Sequence, residues 1–314
     1  LSSFILFRLI DGNPLVVDPA NASRTLLWNY RTHDWEPKLL GLFGVPDGVL
    51  PQCVPNRYDY GHLTLKARQI PVTVVSGDQS AALFALGKPR TDTTYINIGT
   101  GAFLQRPVGD KPVASAKLLG SVVWQSAAET AFVLEGTVNG AGSALQQFAA
   151  EAGLDEGELP TRIADALAAS TTPPLFLNGV SGLGSPFWDA GFVSRFVGDG
   201  EAEEKLTAVI ESIVFLIKAN LDEMTEVTGE SKQLVLTGGL SVVDGLCQRL
   251  ANLSGVTVKR PQLDEATAQG MQYLLAGATG PVSETTTFQA ETDKSLRLRY
   301  REWLKLLTGS LQDQ

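Results

Sequence analysis

VVSGDQSAAL, Val74 to Leu83, places an acid and an amide, Asp78-Gln79, behind an apolar β-branched run and follows them with three small residues. The run IPVTVV from Ile70 reads as a buried strand, and the small residues after it read as the start of a helix. Asp78 then has two readings. As a helix cap it satisfies backbone N–H groups left open by the first turn. At the carboxyl edge of an open α/β sheet, where such sheets bind ligands, it faces a reacting group.

Working outward, further apolar β-branched runs follow: TTYINI from Thr93, SVVWQ from Ser121 and AFVLEG from Ala131. Later come QLVLT from Gln233 and VTVKRP from Val256, each followed by a helical pattern. Between Glu201 and Val227 the apolar residues Leu206, Val209, Ile210, Ile213, Val214 and Ile217 recur at helical spacing. Strands first and alternating strands and helices later predict a mixed α/β domain that meets ligands at one sheet edge. The first 70 residues contain helices and a Pro-rich connector but no compact sheet. LSSFILFRLIDGN at the start is interrupted by Arg8 and too short to span a membrane, so it reads as a buried amphipathic helix ending near Asp11-Gly12. SLRLRYREWLKLLTG near the end carries alternating charge and reads as a surface helix.

Two glycine turns stand out. NIGTGAF, Asn97 to Phe103, is either a hairpin turn or a nest whose backbone N–H groups hold an anion, with the Thr100 hydroxyl as an added donor. LTGGLSVVDGL, Leu236 to Leu246, is a strand-to-helix turn or a place where a ligand approaches bare backbone. Neither is a P-loop or a dinucleotide fingerprint. An acid that can orient and deprotonate a hydroxyl, with two backbone turns to hold phosphate, is the smallest kit for phosphoryl transfer. Glu135 in VLEG is a second acid, read as a hydrogen-bonded strand residue. Trp188-Asp189 reads as a loop anchor, and His33 and His62 as residues without catalytic duty.

Bulk properties narrow the classes. The 314 residues are 44% hydrophobic and 19% charged, which is globular composition. A net charge of −9 argues against general nucleic-acid or anionic-membrane binding. Two distant cysteines, Cys53 and Cys247, form no disulfide framework, so a cytoplasmic setting is expected. Two histidines leave little for a histidine-rich metal site.

Taken in order, DPANASRTLLWN, LPQCVPNRYDYG, IPVTVVSGDQSAALF, NIGTGAF, VLEGTVNGAGSALQQF, GLGSPFWD, LVLTGGLS and VKRPQLDEATAQGMQYLLAG resemble the FGGY carbohydrate kinases, and their glycerol kinase branch most. The resemblance runs over about residues 5–280. It implies an α/β, actin-like (ribonuclease H-like) ATPase fold, with residues 1–70 as the tail of the N-terminal domain and 71–314 as the C-terminal, nucleotide-binding domain. It makes Asp78 the general base for the acceptor hydroxyl, has Gln79 hydrogen-bond the polyol and packs Phe103 against its carbon face. Gly99, Thr100 and Gly101 would hold the terminal phosphates, Gly142 and Gln146 would lie along the nucleotide, and Gly238 and Gly239 would approach adenosine. ATP with Mg²⁺ is the implied cofactor set, a sugar or polyol the implied partner, and a homo-oligomer is compatible with the family.

The sequence also departs from the pattern. The family's N-terminal Asp-x-Gly-Thr hairpin is absent, and on the order of 150 residues are expected to precede Leu1 in the whole protein. With a remnant domain, apolar residues such as Phe4, Ile5, Leu6, Leu39 and Leu40 are expected at the surface. Val243 stands where glycerol kinases place an adenine-contacting Asn, and Asp199 replaces an aliphatic residue in the second family signature. Two functions therefore stand side by side: an ATP-dependent sugar or polyol kinase, and a non-catalytic actin-like module that binds nucleotide or a partner.

Overall fold

We describe the fold from a computed structural model, which covers residues 1–46, 48–155, 157–169, 172–263, 265–280 and 284–312. The first part of the chain is built from short elements: α1 (Ser2–Leu9), β1 (Val16–Val17), α2 (Pro19–Ser23), β2 (Trp28–Asn29), β3 (Asp34–Trp35), α3 (Pro37–Phe43), β4 (Gln52–Cys53), β5 (His62–Leu65) and β6 (Arg68–Pro71). These strands pair two by two and add to no larger sheet, as the sequence suggested. On α1 only Leu6 is buried, while Phe4, Ile5, Phe7 and Leu9 are exposed, so this is not the buried helix expected. Of the apolar residues expected at the surface, Phe4 and Ile5 are exposed, Leu39 is half-buried, and Leu6 and Leu40 are instead buried.

IPVTVV does not form the expected strand. Only Ile70 and Pro71 belong to β6, and beyond them Val74 makes a lone bridge to Arg57. Residues 72–75 run instead along 56–61: Val72 N–H donates to the Gly61 carbonyl, Tyr60 N–H to that of Val72 and Val75 N–H to that of Asn56, while the Asn56 side chain donates to the Val75 carbonyl and accepts the Gln125 N–H. The short helix α4 (Asp78–Ala82) follows.

The remaining strands form the main sheet: β7 (Thr93–Ile98), β8 (Ala102–Gly109), β9 (Leu119–Gln125) and β10 (Thr130–Val138) come first. After the two-stranded pair β11 (Leu175–Leu177) and β12 (Arg195–Val197) come β13 (Gln233–Thr237), β14 (Thr257–Pro261) and β15 (Thr285–Phe288). The seven-stranded order is β15-β14-β13-β7-β8-β10-β9. β7 and β8 form a hairpin, whereas β13 runs parallel to both β7 and β14. The register pairs Thr237 with Asn97, so both glycine turns leave the same edge of two neighbouring parallel strands.

Helices α5 (Gly142–Ala152), α6 (Leu159–Ala168), α7 (Ala202–Thr228), α8 (Asp244–Ser254) and α10 (Lys294–Gln312) form the major core with the sheet, and α9 (Ala266–Ala276) joins α4 against its other face. The 27-residue α7 starts with a capping box in which Glu201 and Glu204 satisfy each other's backbone N–H groups. Its residues Ile210, Ile213, Val214 and Ile217 are fully buried. Helix α10 is not the surface helix its charges suggest. Leu296, Tyr300, Trp303 and Leu307 recur on one face and are buried, and Trp303 Nε1 donates to the Phe176 carbonyl at 2.9 Å.

Candidate active site

Asp78 is the first residue of α4, and the cap position belongs to Gly77. The exposed carboxylate accepts its neighbour's N–H, with Oδ1 2.8 Å from Gln79 N. Asp78 therefore lends an oxygen to the helix start without being its N-cap, and it stays open to a ligand. Asp78, Gln79 and Phe103 line one cavity of about 110 Å³, walled also by Arg24, Gln105 and Glu135. Phe103 reaches it from the second residue of β8, 41% exposed, so its ring offers an apolar wall facing the acid.

Glu135 is a paired strand acid, as expected. It sits in the middle of β10, is 8% exposed, accepts from Gln105 Nε2 at 3.3 Å and forms an ion pair with Arg24. Burying a carboxylate is tolerated only with such partners. The sequence pointed to no role for Arg24 or Gln105; the basic residue in NASRT was the available signal, but its partner lies 111 residues away.

The second cavity, about 320 Å³, is lined by Gly99, Thr100, Gly142, Gln146 and Gly239, with Val243 among its apolar walls. At its rim NIGTGAF takes the hairpin form. Ile98 pairs with Ala102, and Gly99 N–H donates to the Gly101 carbonyl at 2.8 Å, closing a tight turn. Neither glycine has positive φ; Gly101 is needed for space, because a Cβ there would lie 2.7 Å from the Val138 carbonyl. The first N–H groups of α5 do not face a ligand. Ala141 and Ser143 donate to the Thr100 carbonyl and Gly142 to that of Gly99. These bonds dock α5 onto the hairpin and leave Thr100 exposed at its tip.

Gly142 and Gly238 mark close approach to the backbone of the hairpin, at Gly99 and at Ile98. A Cβ on Gly142 would lie 2.7 Å from the Gly99 carbonyl, and one on Gly238, at φ +91°, 2.6 Å from the Ile98 carbonyl. Around Gly239 there is open space. Gly238 lines a neighbouring cavity with Asn97 and Thr237, and Gly101 lines none of these cavities. The ten expected site residues thus divide: three at the cavity with the acid, five at the glycine-lined cavity, Gly238 beside it and Gly101 behind the turn. One hairpin joins the halves, for Thr100 lies in the one cavity and Phe103, three residues on, in the other.

The glycine cradle and the apolar slot beside it fit a nucleotide, since bare backbone admits phosphate and flat apolar walls admit a base. Among the described residues no cluster of three or more His, Cys, Asp or Glu could hold a metal ion. A divalent ion here would rely on phosphate oxygens, water and at most one or two carboxylates, which is the usual manner of Mg²⁺. Trp188 and Asp189 do anchor a loop: Trp188 Nε1 donates to the Lys117 carbonyl, and Asp189 bonds Leu183 through both backbone groups. Among the described residues no helix is long and apolar enough to cross a membrane, and both cysteines are free.

Comparison with known proteins gives a consistent picture. Residues 1–85 match the family model for the FGGY family of carbohydrate kinases, N-terminal domain, and residues 94–279 the model for its C-terminal domain. A glycerol kinase of Gloeobacter violaceus is 33% identical over 290 residues, 89% of this chain and 58% of the relative. One from Geobacter sp. strain M21 is 31% identical over 332 residues, 99% of this chain and 66% of the relative. The chain therefore spans about three fifths of the length of the curated relatives it matches. Among solved structures, Plasmodium falciparum glycerol kinase with ADP superposes with a TM-score of 0.83 at 21% identity, covering 99% of this chain and 66% of that one. A xylulose kinase from Rhodospirillum rubrum gives 0.80 at 15%, covering 99% and 66%. These likenesses establish the actin-like ATPase fold.

Proposed function

Because this chain belongs to the FGGY family of carbohydrate kinases, we propose that it contributes the general base and the nucleotide cradle to ATP-dependent phosphorylation of a polyol or sugar hydroxyl, with glycerol as first candidate. The observation that carries this reading is the shared hairpin. It offers Thr100 to a phosphate on one side and Phe103 to a carbon skeleton on the other, beside Asp78.

In this reading the acceptor hydroxyl donates to the Asp78 carboxylate, and Gln79 and the face of Phe103 orient the rest of the substrate. As the hydroxyl oxygen bonds to the γ-phosphorus, the bond from that phosphorus to the bridging oxygen of ADP breaks, and the hydroxyl proton passes to Asp78. The products are ADP and the phosphate ester. Gly99 and Thr100 border the phosphates with Gly101 closing their turn from behind, Gly142 and Gln146 border the nucleotide, and Gly238 and Gly239 admit adenosine. Asp78 is the one carboxylate these site residues would offer a Mg²⁺ carried with the nucleotide, which would supply charge neutralisation on the transferring group. The chain's own contribution is mainly positioning, which governs phosphoryl transfer because the reaction asks for little covalent help.

Glycerol is favoured over a ketose by the 31–33% identity to glycerol kinases. The test is ATP-dependent turnover of a polyol and ketose panel, with Asp78→Asn beside the natural protein. Loss of the base should lower kcat about 10²–10⁴-fold with nucleotide affinity unchanged. An Asp78→Asn protein as active as the natural one would sink the assignment. ATP retention with no turnover of any acceptor would instead favour the non-catalytic binding module.

A further inference from the structure

Helix α4 is only five residues long and does not follow a strand of the main sheet, so something else must hold Asp78 in place. That element is α9. A Cβ built on Gly270 would lie 1.7 Å from the Ala81 carbonyl oxygen and 2.5 Å from its carbon, the closest approach at any glycine of the chain described. The obstacle is backbone, which cannot turn aside as a side chain can. Thr267, one turn earlier, has its hydroxyl 3.4 Å from the Asp78 main-chain oxygen. Beyond α4, Phe84 stacks on Tyr273 with ring centroids 6.2 Å apart and planes at 20°. The Arg57 guanidinium donates to the Leu274 and Leu275 carbonyls and so holds the far end of α9.

We propose that Gly270 is a positioning residue for Asp78: by letting α9 seat backbone to backbone on α4, it sets where the carboxylate stands relative to the acceptor hydroxyl. The inference rests on Asp78 being the general base. Any side chain at 270 must part the two helices by about an ångström or more, and a displacement of about 1 Å at reacting groups costs on the order of 10²-fold in rate.

The experiment compares Gly270→Ala with Gly309→Ala, a helical glycine of α10 with open space around it. It reads kcat and KM for the polyol, affinity for a fluorescent ATP analogue, and amide hydrogen exchange over residues 79–85. The expected result is a fall of about 10²-fold in kcat for Gly270→Ala, little change in nucleotide affinity and faster exchange in α4, with Gly309→Ala like the natural protein. Natural kcat and unaltered α4 exchange in folded Gly270→Ala would overturn the inference. If the natural protein phosphorylates no acceptor, the functional reading fails, and the α4 exchange still decides whether Gly270 seats the helix. Should Gly270→Ala not fold, the near-isosteric Thr267→Val takes its place: a several-fold loss of kcat that Thr267→Ser restores supports the positioning role, and natural kcat in Thr267→Val counts against it.

Discussion

At the scale of single residues, glycines mark where this site needs bare backbone, for two distinct reasons. Gly238 needs both its left-handed conformation and its space, whereas Gly101 and Gly142 need space alone. Gly142→Ala puts a methyl group against the Gly99 carbonyl, where α5 docks on the hairpin. We expect it to weaken nucleotide binding by about tenfold, roughly 1.4 kcal/mol, measured by titration with an ATP analogue; unchanged affinity would remove Gly142 from the cradle. The glycine pattern was legible in the sequence because NIGTG and LTGG each follow an apolar run. The pairing of Arg24 with Glu135 was not, because an ion pair over 111 positions leaves no local trace.

At the scale of elements, helical spacing was readable and its environment was not. The long α7 follows its apolar period, and the parallel strands follow their β-branched runs. Helix α10 shows the limit. Its charges suggest a solvated face, but the four buried residues at helical spacing turn Trp303 into the sheet's core, where it packs at 5.5 Å from Phe215. Trp303→Ala should cost about 3–5 kcal/mol, read as a lower denaturation midpoint at constant slope. A cost below about 1 kcal/mol, the range of an exposed substitution, would return α10 to the surface. Strand β8 hides its nature for a related reason. Arg106 is buried within it, donating to Thr94, Ser231 and the Glu230 carbonyl, so a charged residue stands where an apolar one is expected.

At the scale of the whole molecule, the parts matched by the two family domains are tied by contacts around the acid: Arg24 to Glu135, Arg57 to the end of α9, and α4 to α9. Fully buried Asp18 adds a further tie. It accepts from the Asn21 backbone and side chain and from Asn56, whose own oxygen accepts the Gln125 N–H of β9. Burial raises the Asp18 pKa above its ordinary value of 3.8, outweighing these hydrogen bonds. The folded protein therefore binds this proton more readily than the unfolded chain, so the contribution of Asp18 to stability is fullest below the unfolded value of 3.8 and declines as pH rises through the folded one. Relative to Asp18→Asn, which does not titrate, the natural protein should gain stability as pH falls from 7 toward about 4. Denaturation curves of both proteins across that range check the sign, and a constant difference would show that Asp18 does not titrate differently on folding.

Family, fold class and the glycines at the hairpin and at the strand-to-helix turn lie in the order of short motifs, since each motif is set by chemistry within a few residues: β-branching, helical period, the need for bare backbone. The reach of Asp78 was legible only in part. Its neighbourhood of small residues was visible, but IPVTVV looked like a sheet strand, and the contact that seats α4 comes from Gly270, nearly two hundred residues along the chain. Which face of α10 is buried, which partner neutralises Glu135 and which cavity each glycine lines depend on segments brought together by collapse of one core. Such contacts minimise buried unpaired charge and empty space across the whole molecule, and no local window of sequence contains that balance.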